Sequence, residues 1–197
     1  VDRSLEEFEY HADMARWMGY GRTFQDMKIN VHVSGKLGAA GFRAAYARLS
    51  DVAKNCITIE NDEHVFGLDE CLSLADLCPI VLDIHHHWIK TGEYISADDP
   101  RIELVIKSWR GIVPTIHYSV SREDILVNHC QDTLPNMTTL LESGYKKGKL
   151  RAHSDFYWNN AVNNWALSHL NWSNIMCESK AKNLAVKNLT KSLLLLS

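Results

Sequence analysis

The sequence lacks most of the features that would place it outside a reducing compartment. Its five cysteines (Cys56, Cys71, Cys78, Cys130 and Cys177) are odd in number and never spaced C-x-x-C. That disfavours a disulfide framework and a structural zinc knuckle. It fits a reducing, intracellular setting, cytoplasmic (nucleoid) or nuclear. No apolar stretch approaches the ~20 residues needed to span a bilayer, and no signal peptide opens the chain. No membrane partner is expected. A large charge of one sign is also missing. The net charge is −3 over 197 residues, so any nucleic-acid contact must come from local basic segments. No two strand-like runs are joined by a hairpin turn, and no internal repeat is visible.

What is present is a hydrophobic content of 46%, enough for one sizeable core and a single domain over 1–197. The chain opens on Val1 rather than Met, which fits either missing N-terminal sequence or processing. Leu5, Phe8, Met14 and Trp17 fall at helical spacing, which predicts an amphipathic helix over 2–18, with Ser4 and Glu7 as a capping box. Strands are expected over 28–33, 56–60, 80–84, 113–118 and 174–178, with Pro114 at the first positions of the fourth. Helices are expected over 39–50, 67–77, 99–110, 132–144, 156–170 and 180–195, and 145–151 reads as a basic loop. Strands alternating with helices predict an α/β fold with a parallel sheet.

The most informative stretch is the apolar run Ile80-Val81-Leu82, which stops in Asp83 and the triplet His85-His86-His87. The five expected strands finish at His32, Glu60, Asp83, His117 and Glu178, each a residue that can bind a divalent cation or move a proton. In parallel α/β folds the C-terminal strand ends share one rim, where sites are built. Carboxylates that can bridge, together with imidazoles that include His153, exceed the needs of one ion and suit a cluster of two or three. Periodicity leaves the triplet open. On an extended strand Asp83 and His85 share a face, whereas a turn after Ile84 would bring His86 round.

The segments IENDE (59–63), LDIHHH (82–87), IHYS (116–119), AHSD (152–155) and CESKAK (177–182) together resemble the UV damage endonuclease family. LEEFEYHADMARWMG (5–19) and the strand holding His32 are also similar to that family, so the likeness runs along nearly the whole chain. The resemblance implies a TIM-barrel (β/α)8-type fold, with divalent ions bound as a cluster of up to three. Manganese is expected, with zinc or magnesium as alternatives. It also implies a DNA repair activity that nicks damaged double-stranded DNA on the 5′ side of UV photolesions. By position, His32, Glu60, Asp83, His86, His117, His153 and Glu178 match the family's metal ligands, which selects His86 over His85. Glu60, Asp83 and Glu178 are then the carboxylates expected to carry catalysis.

Thr115 stands two residues before His117, where the family usually has a lysine, and a neutral hydroxyl does not replace that charge. The five strands expected here would correspond to the fourth through eighth of a full barrel. They predict a partial barrel completed by missing N-terminal sequence or by a partner chain. Lys36, Lys90, Arg122, Lys146, Lys147, Lys149 and Arg151 are the candidate phosphate contacts, and Trp88, Tyr118 and Tyr157 are either base-stacking rings or core packing. Two other classes compete with the nuclease. One is a divalent-metal sugar isomerase or epimerase on the same barrel type. The other is a non-catalytic fragment that binds metal and DNA.

Overall fold

A computed structural model describes residues 2–194; Val1 and residue 195, the last of the expected C-terminal helix, lie outside the described residues. Along the chain the elements are α1 (Asp2–Trp17), β1 (Ile29–His32), α2 (Gly38–Tyr46), α3 (Asp51–Cys56), β2 (Ile57–Glu60), α4 (Leu68–Leu72), β3 (Ile80–Val81) and α5 (Ile84–Thr91). There follow α6 (Pro100–Ser108), β4 (Thr115–Tyr118), α7 (Met137–Glu142), α8 (Lys147–Leu150), α9 (Asn160–Leu167), a 3-10 turn at Ser168–Asn171, β5 (Asn174–Cys177) and α10 (Asn183–Leu194). The chain forms two compact units, 1–81 with 100–114, and 82–99 with 115–197.

In the first unit β1, β2 and β3 form a parallel sheet in that order. All four residues of β2 are buried, as a strand flanked and covered on both faces must be, whereas β1 alternates between half-buried and exposed positions. Apolar residues of β2 and β3 pack with Leu68, Leu74 and Trp109 among the most deeply buried side chains. The sheet stops at β3 because α6 and the turn after it supply the outer hydrogen bonds. The Ile80 N–H donates to Ser108 Oγ (3.0 Å) and Trp109 Nε1 donates to the Ile80 carbonyl (2.9 Å). Helix α3 is an addition to the expected pattern. Ser50 caps it, with Oγ accepting from the Ala53 N–H, so Cys56 closes a helix instead of opening β2. Ser4 lies inside α1, which spans Asp2–Trp17, rather than at the expected capping position.

Gly21 sits where the chain turns from α1 towards β1. Its φ is +80°, and a Cβ there would stand 2.5 Å from Val52 Cγ1. Its N–H donates to Asp26 Oδ1 (2.7 Å), and its carbonyl accepts from Asn55 Nδ2 (3.0 Å). Gly21→Ala therefore combines backbone strain with a clash, and should cost about 1–3 kcal/mol in urea unfolding. An unchanged midpoint would show that this turn relaxes freely.

In the second unit β4 and β5 pair in parallel, and Asp83 forms a parallel bridge to His117. Trp88, Ile89, Leu126, Met137, Leu140 and Leu150 make its core, with Tyr94, Ile125, Tyr145 and Trp158 packed against it. Asn136 and Asn159 cap α7 and α9 through their side-chain oxygens, so both helices begin later than the apolar pattern suggests. The 145–151 segment is not a plain loop, since Lys147–Leu150 make a helical turn that buries Leu150. Pro114 precedes β4 rather than opening it. The described strands are all parallel, so the class is α/β as expected. No described helix is long and apolar enough to cross a membrane.

Candidate metal centre

The triplet lies on a helix. Asp83 is the N-cap of α5, with Oδ1 accepting from the His86 N–H at 2.7 Å. A short strand that ends at Val81 and a cap two residues later place Asp83 at the strand's end and start the helix at once. Gly92, in the left-handed conformation, closes the helix with its N–H on the Trp88 carbonyl. Successive residues on a helix point about 100° apart, so the three imidazoles diverge. His86 stays beside Asp83, with Nδ1 at 3.4 Å from Oδ2. His87 reaches Glu93, Nε2 to Oε2 2.9 Å. His85 is buried against Trp88.

Around Asp83 and His86 the second unit gathers three more donors. The His117 N–H donates to the Leu82 carbonyl (3.0 Å), which seats His117 beside Asp83. The Glu178 N–H donates to the Tyr118 carbonyl (2.8 Å), which continues the β4–β5 ladder by one residue and brings the carboxylate to the same end. Glu178 Oε1 is 3.2 Å from His117 Nδ1, and Oε2 is 4.0 Å from His153 Nδ1. The His153 backbone bridges to Ser121, between the Arg122 N–H to Ala152 carbonyl bond and the Ser154 N–H to Val120 carbonyl bond.

This set fits a divalent ion. Asp83 is fully buried, and a buried carboxylate is costly without compensating charge or hydrogen bonds. Donor atoms each about 2.1 Å from one ion stand roughly 3–3.5 Å apart, the range of the Asp83–His86 and His117–Glu178 separations. The mixture of imidazole nitrogen and carboxylate oxygen suits a hard or borderline cation.

The hydrogen bond to His117 holds the Glu178 carboxyl below its usual range; burial opposes this, and the charges of His117, His153 and His86 reinforce it. A carboxyl depressed by folding stabilises the fold above its unfolded pKa, and that contribution disappears as pH falls through the folded value. In chelator, acid destabilisation below about pH 4.3 should therefore be shallower for Glu178→Gln than for the parent chain. Parallel stability-versus-pH curves would contradict this.

In the first unit His32 and Glu60 are register partners at the ends of β1 and β2, with Nε2 to Oε2 3.7 Å. The Glu60 carboxylate is almost wholly buried and also accepts from Asn30 Nδ2. Asn30 Oδ1 in turn accepts from Thr58 Oγ1 (2.9 Å). Asn30 was not evident from the sequence as part of the site, although its place two residues before a strand-end histidine puts it on the same strand face. Thr115 stands at the start of β4, on the strand face of His117.

The basic candidates divide. Lys36, Lys146, Lys149 and Arg151 are exposed. Arg122 is forked onto Asp124, with Nε to Oδ1 2.7 Å. Lys147 donates to the Lys90 carbonyl (2.7 Å) near the C-terminal end of α5, where a cation stabilises a helix. Of the two readings of the aromatic rings, packing holds. Trp88, Tyr118 and Tyr157 are 3%, 0% and 7% exposed, so they pack the interior instead of meeting bases. Tyr118 and Tyr157 stack on each other at 4.9 Å, and the Tyr118 hydroxyl hydrogen-bonds Asn163.

With this geometry in place, comparison with known proteins is decisive at the level of family. The profile of the UV-endonuclease UvdE family matches residues 1–196. The chain belongs to the UvdE family. Among UvdE-type relatives, a UV DNA damage endonuclease of Bacillus velezensis is 31% identical over 140 residues, covering 66% of this chain and 42% of the relative. A UV-damage endonuclease of Schizosaccharomyces pombe is 29% identical over 168 residues, covering 79% of this chain and 25% of the relative. The crystal structure of SacUVDE superposes with a TM-score of 0.68 at 25% identity, covering 98% of this chain and 58% of that one. The fold is thus of the TIM-barrel type. The chain spans less than half the length of these two curated relatives.

Proposed function

We propose that this chain carries the metal-binding machinery of a DNA repair endonuclease that nicks damaged double-stranded DNA 5′ to UV photolesions. The observation that carries this reading is the convergence of Asp83, His86, His117, His153 and Glu178 in one unit of a UvdE-family chain. These five residues would hold divalent ions, manganese foremost, in a cluster of up to three; in the first unit, His32 and Glu60 are the other two residues that match the family's ligands by position. When bound, such ions supply an acidified water and offset the charge that develops on a phosphodiester under attack.

The chain's own residues prepare for this. Asp83 is fixed by its capping bond, so its second oxygen keeps one direction. Glu178 is held ionised by the imidazoles beside it and is ready to accept a cation without first losing a proton. Exposed Lys36, Lys146, Lys149 and Arg151 would meet phosphates, a contact that positions DNA without reading sequence. The likeness to named UV-damage endonucleases favours this reading over a sugar isomerase.

The test is incubation with Mn²⁺ and UV-irradiated plasmid, with undamaged plasmid and EDTA as controls. Nicking confined to the irradiated plasmid and abolished by EDTA is expected. Equal nicking of both plasmids would overturn the lesion preference. Metal and DNA binding without nicking would leave the binding-only reading in place.

A further inference from the structure

The first histidine of the triplet has a place in the fold but no part in the proposed ligand set. His85 is 3% exposed and lies one helical turn from Trp88 on α5. Its ring stacks on the Trp88 indole, centroids 5.9 Å apart and planes 27° apart. On its other side it meets the His153 ring edge-on, at 5.7 Å and 84°. Trp88 is backed in turn by Tyr94 at 5.6 Å, and Tyr94 by the edge of Trp165 at 4.8 Å. The Trp165 Nε1 is tied to the Ile95 carbonyl (2.8 Å), which anchors the far end of this stack of rings. The remaining space beside His85, lined by Trp88, Tyr94, Val120, Ser121 and Trp165 among others, is only about 10 Å³. The His85 ring is thus packed closely on this side.

His153 needs such support more than its neighbours do. His117 sits on a strand and His86 on a helix, whereas His153 lies in a connection whose backbone is pinned but whose side chain is 29% exposed. We propose that His85 is a positioning residue: braced by Trp88, its ring sets the orientation of His153 and so the geometry with which His153 meets a divalent ion. This rests on the metal-centre reading above. It gives the triplet three jobs, with His86 as ligand, His87 as partner of Glu93, and His85 as the brace of a ligand supplied from elsewhere in the chain.

The experiment compares His85→Ala, His85→Phe and His153→Ala with the parent chain. Mn²⁺ affinity is measured by calorimetry, and the His153 ring resonances are followed by NMR in metal-free, histidine-labelled protein. Loss of an orienting partner typically lowers metal affinity about 10–100-fold, and His85→Ala should fall in that range. His85→Phe keeps the ring and should stay within about threefold, by analogy with other shape-conserving swaps. The double variant His85→Ala/His153→Ala should bind no more weakly than His153→Ala alone. Without metal, the His153 resonances should shift and broaden in His85→Ala and return towards the parent positions in His85→Phe. Parent-like affinity and parent-like His153 resonances in His85→Ala would overturn the proposal. So would additive losses in the double variant, or a phenylalanine variant as impaired as the alanine one. If the parent chain binds no Mn²⁺, the metal-centre reading fails by itself, and the metal-free resonances still decide whether His85 orients His153.

Discussion

Asp83→Asn should abolish tight Mn²⁺ binding while leaving the fold intact or slightly more stable. The two effects separate because Asp83 does two things with two oxygens. Oδ1 caps α5, and asparagine caps a helix about as well as aspartate. Oδ2 faces His86 as one of the donors, and an amide there brings no charge to a cation. Orienting partners of ligands typically contribute 10–100-fold to affinity, so losing a ligand itself should cost about 100-fold or more in metal affinity and at least as much in nicking. In metal-free protein the same change removes a fully buried carboxylate, whose desolvation opposes folding. Asp83→Ala should also lose metal, but it forfeits the cap and about 1 kcal/mol of stability. Calorimetric titration with Mn²⁺ and urea unfolding in chelator read the two effects. Parent-like Mn²⁺ affinity in Asp83→Asn would remove Asp83 from the ligand set.

Trp109→Ala should be the most damaging single change to the first unit. The indole is fully buried, and Lys28 Nζ lies 5.5 Å from its ring centroid. Large aromatic-to-alanine substitutions in a core cost about 3–5 kcal/mol. Here the loss has a second part. β3 is only two residues long, and the Ile80 carbonyl takes its outer hydrogen bond from Trp109 Nε1. Leaving a buried carbonyl without that partner adds about 1–3 kcal/mol. The sum is a large share of the ~5–15 kcal/mol that holds a domain together, so the alanine variant should be largely unfolded at 37 °C. Trp109→Phe keeps most of the packing and loses only the N–H, and should cost about 1–3 kcal/mol. Equal destabilisation by phenylalanine and alanine would mean that the hydrogen bond, not the packing, dominates.

Much of this was legible from local pattern. The apolar runs that became β1 to β5 were recognisable, and every run led into a carboxylate or imidazole at its C-terminal end, where sites are built in parallel α/β folds. The sequence by itself therefore determined the fold class, and it named the donor types expected at the strand ends, His32, Glu60, Asp83, His117 and Glu178. Periodicity could not separate the three histidines, and the choice of His86 came only from the family resemblance. Separating them by geometry needed the knowledge that Asp83 starts a helix, since the triplet splits three ways at about 100° per residue and only two ways along a strand. Composition also could not say that Trp88, Tyr118 and Tyr157 are interior, because an aromatic ring suits a core and a base-stacking surface equally well. Lys147 reads as a loop cation until α5 is seen to offer it a carbonyl. These three points were decided by tertiary structure for one physical reason. Whether a polar or aromatic side chain serves a ligand, a neighbour or solvent depends on which distant backbone lies within about 3–6 Å of it, and that distance is not encoded in the adjacent sequence.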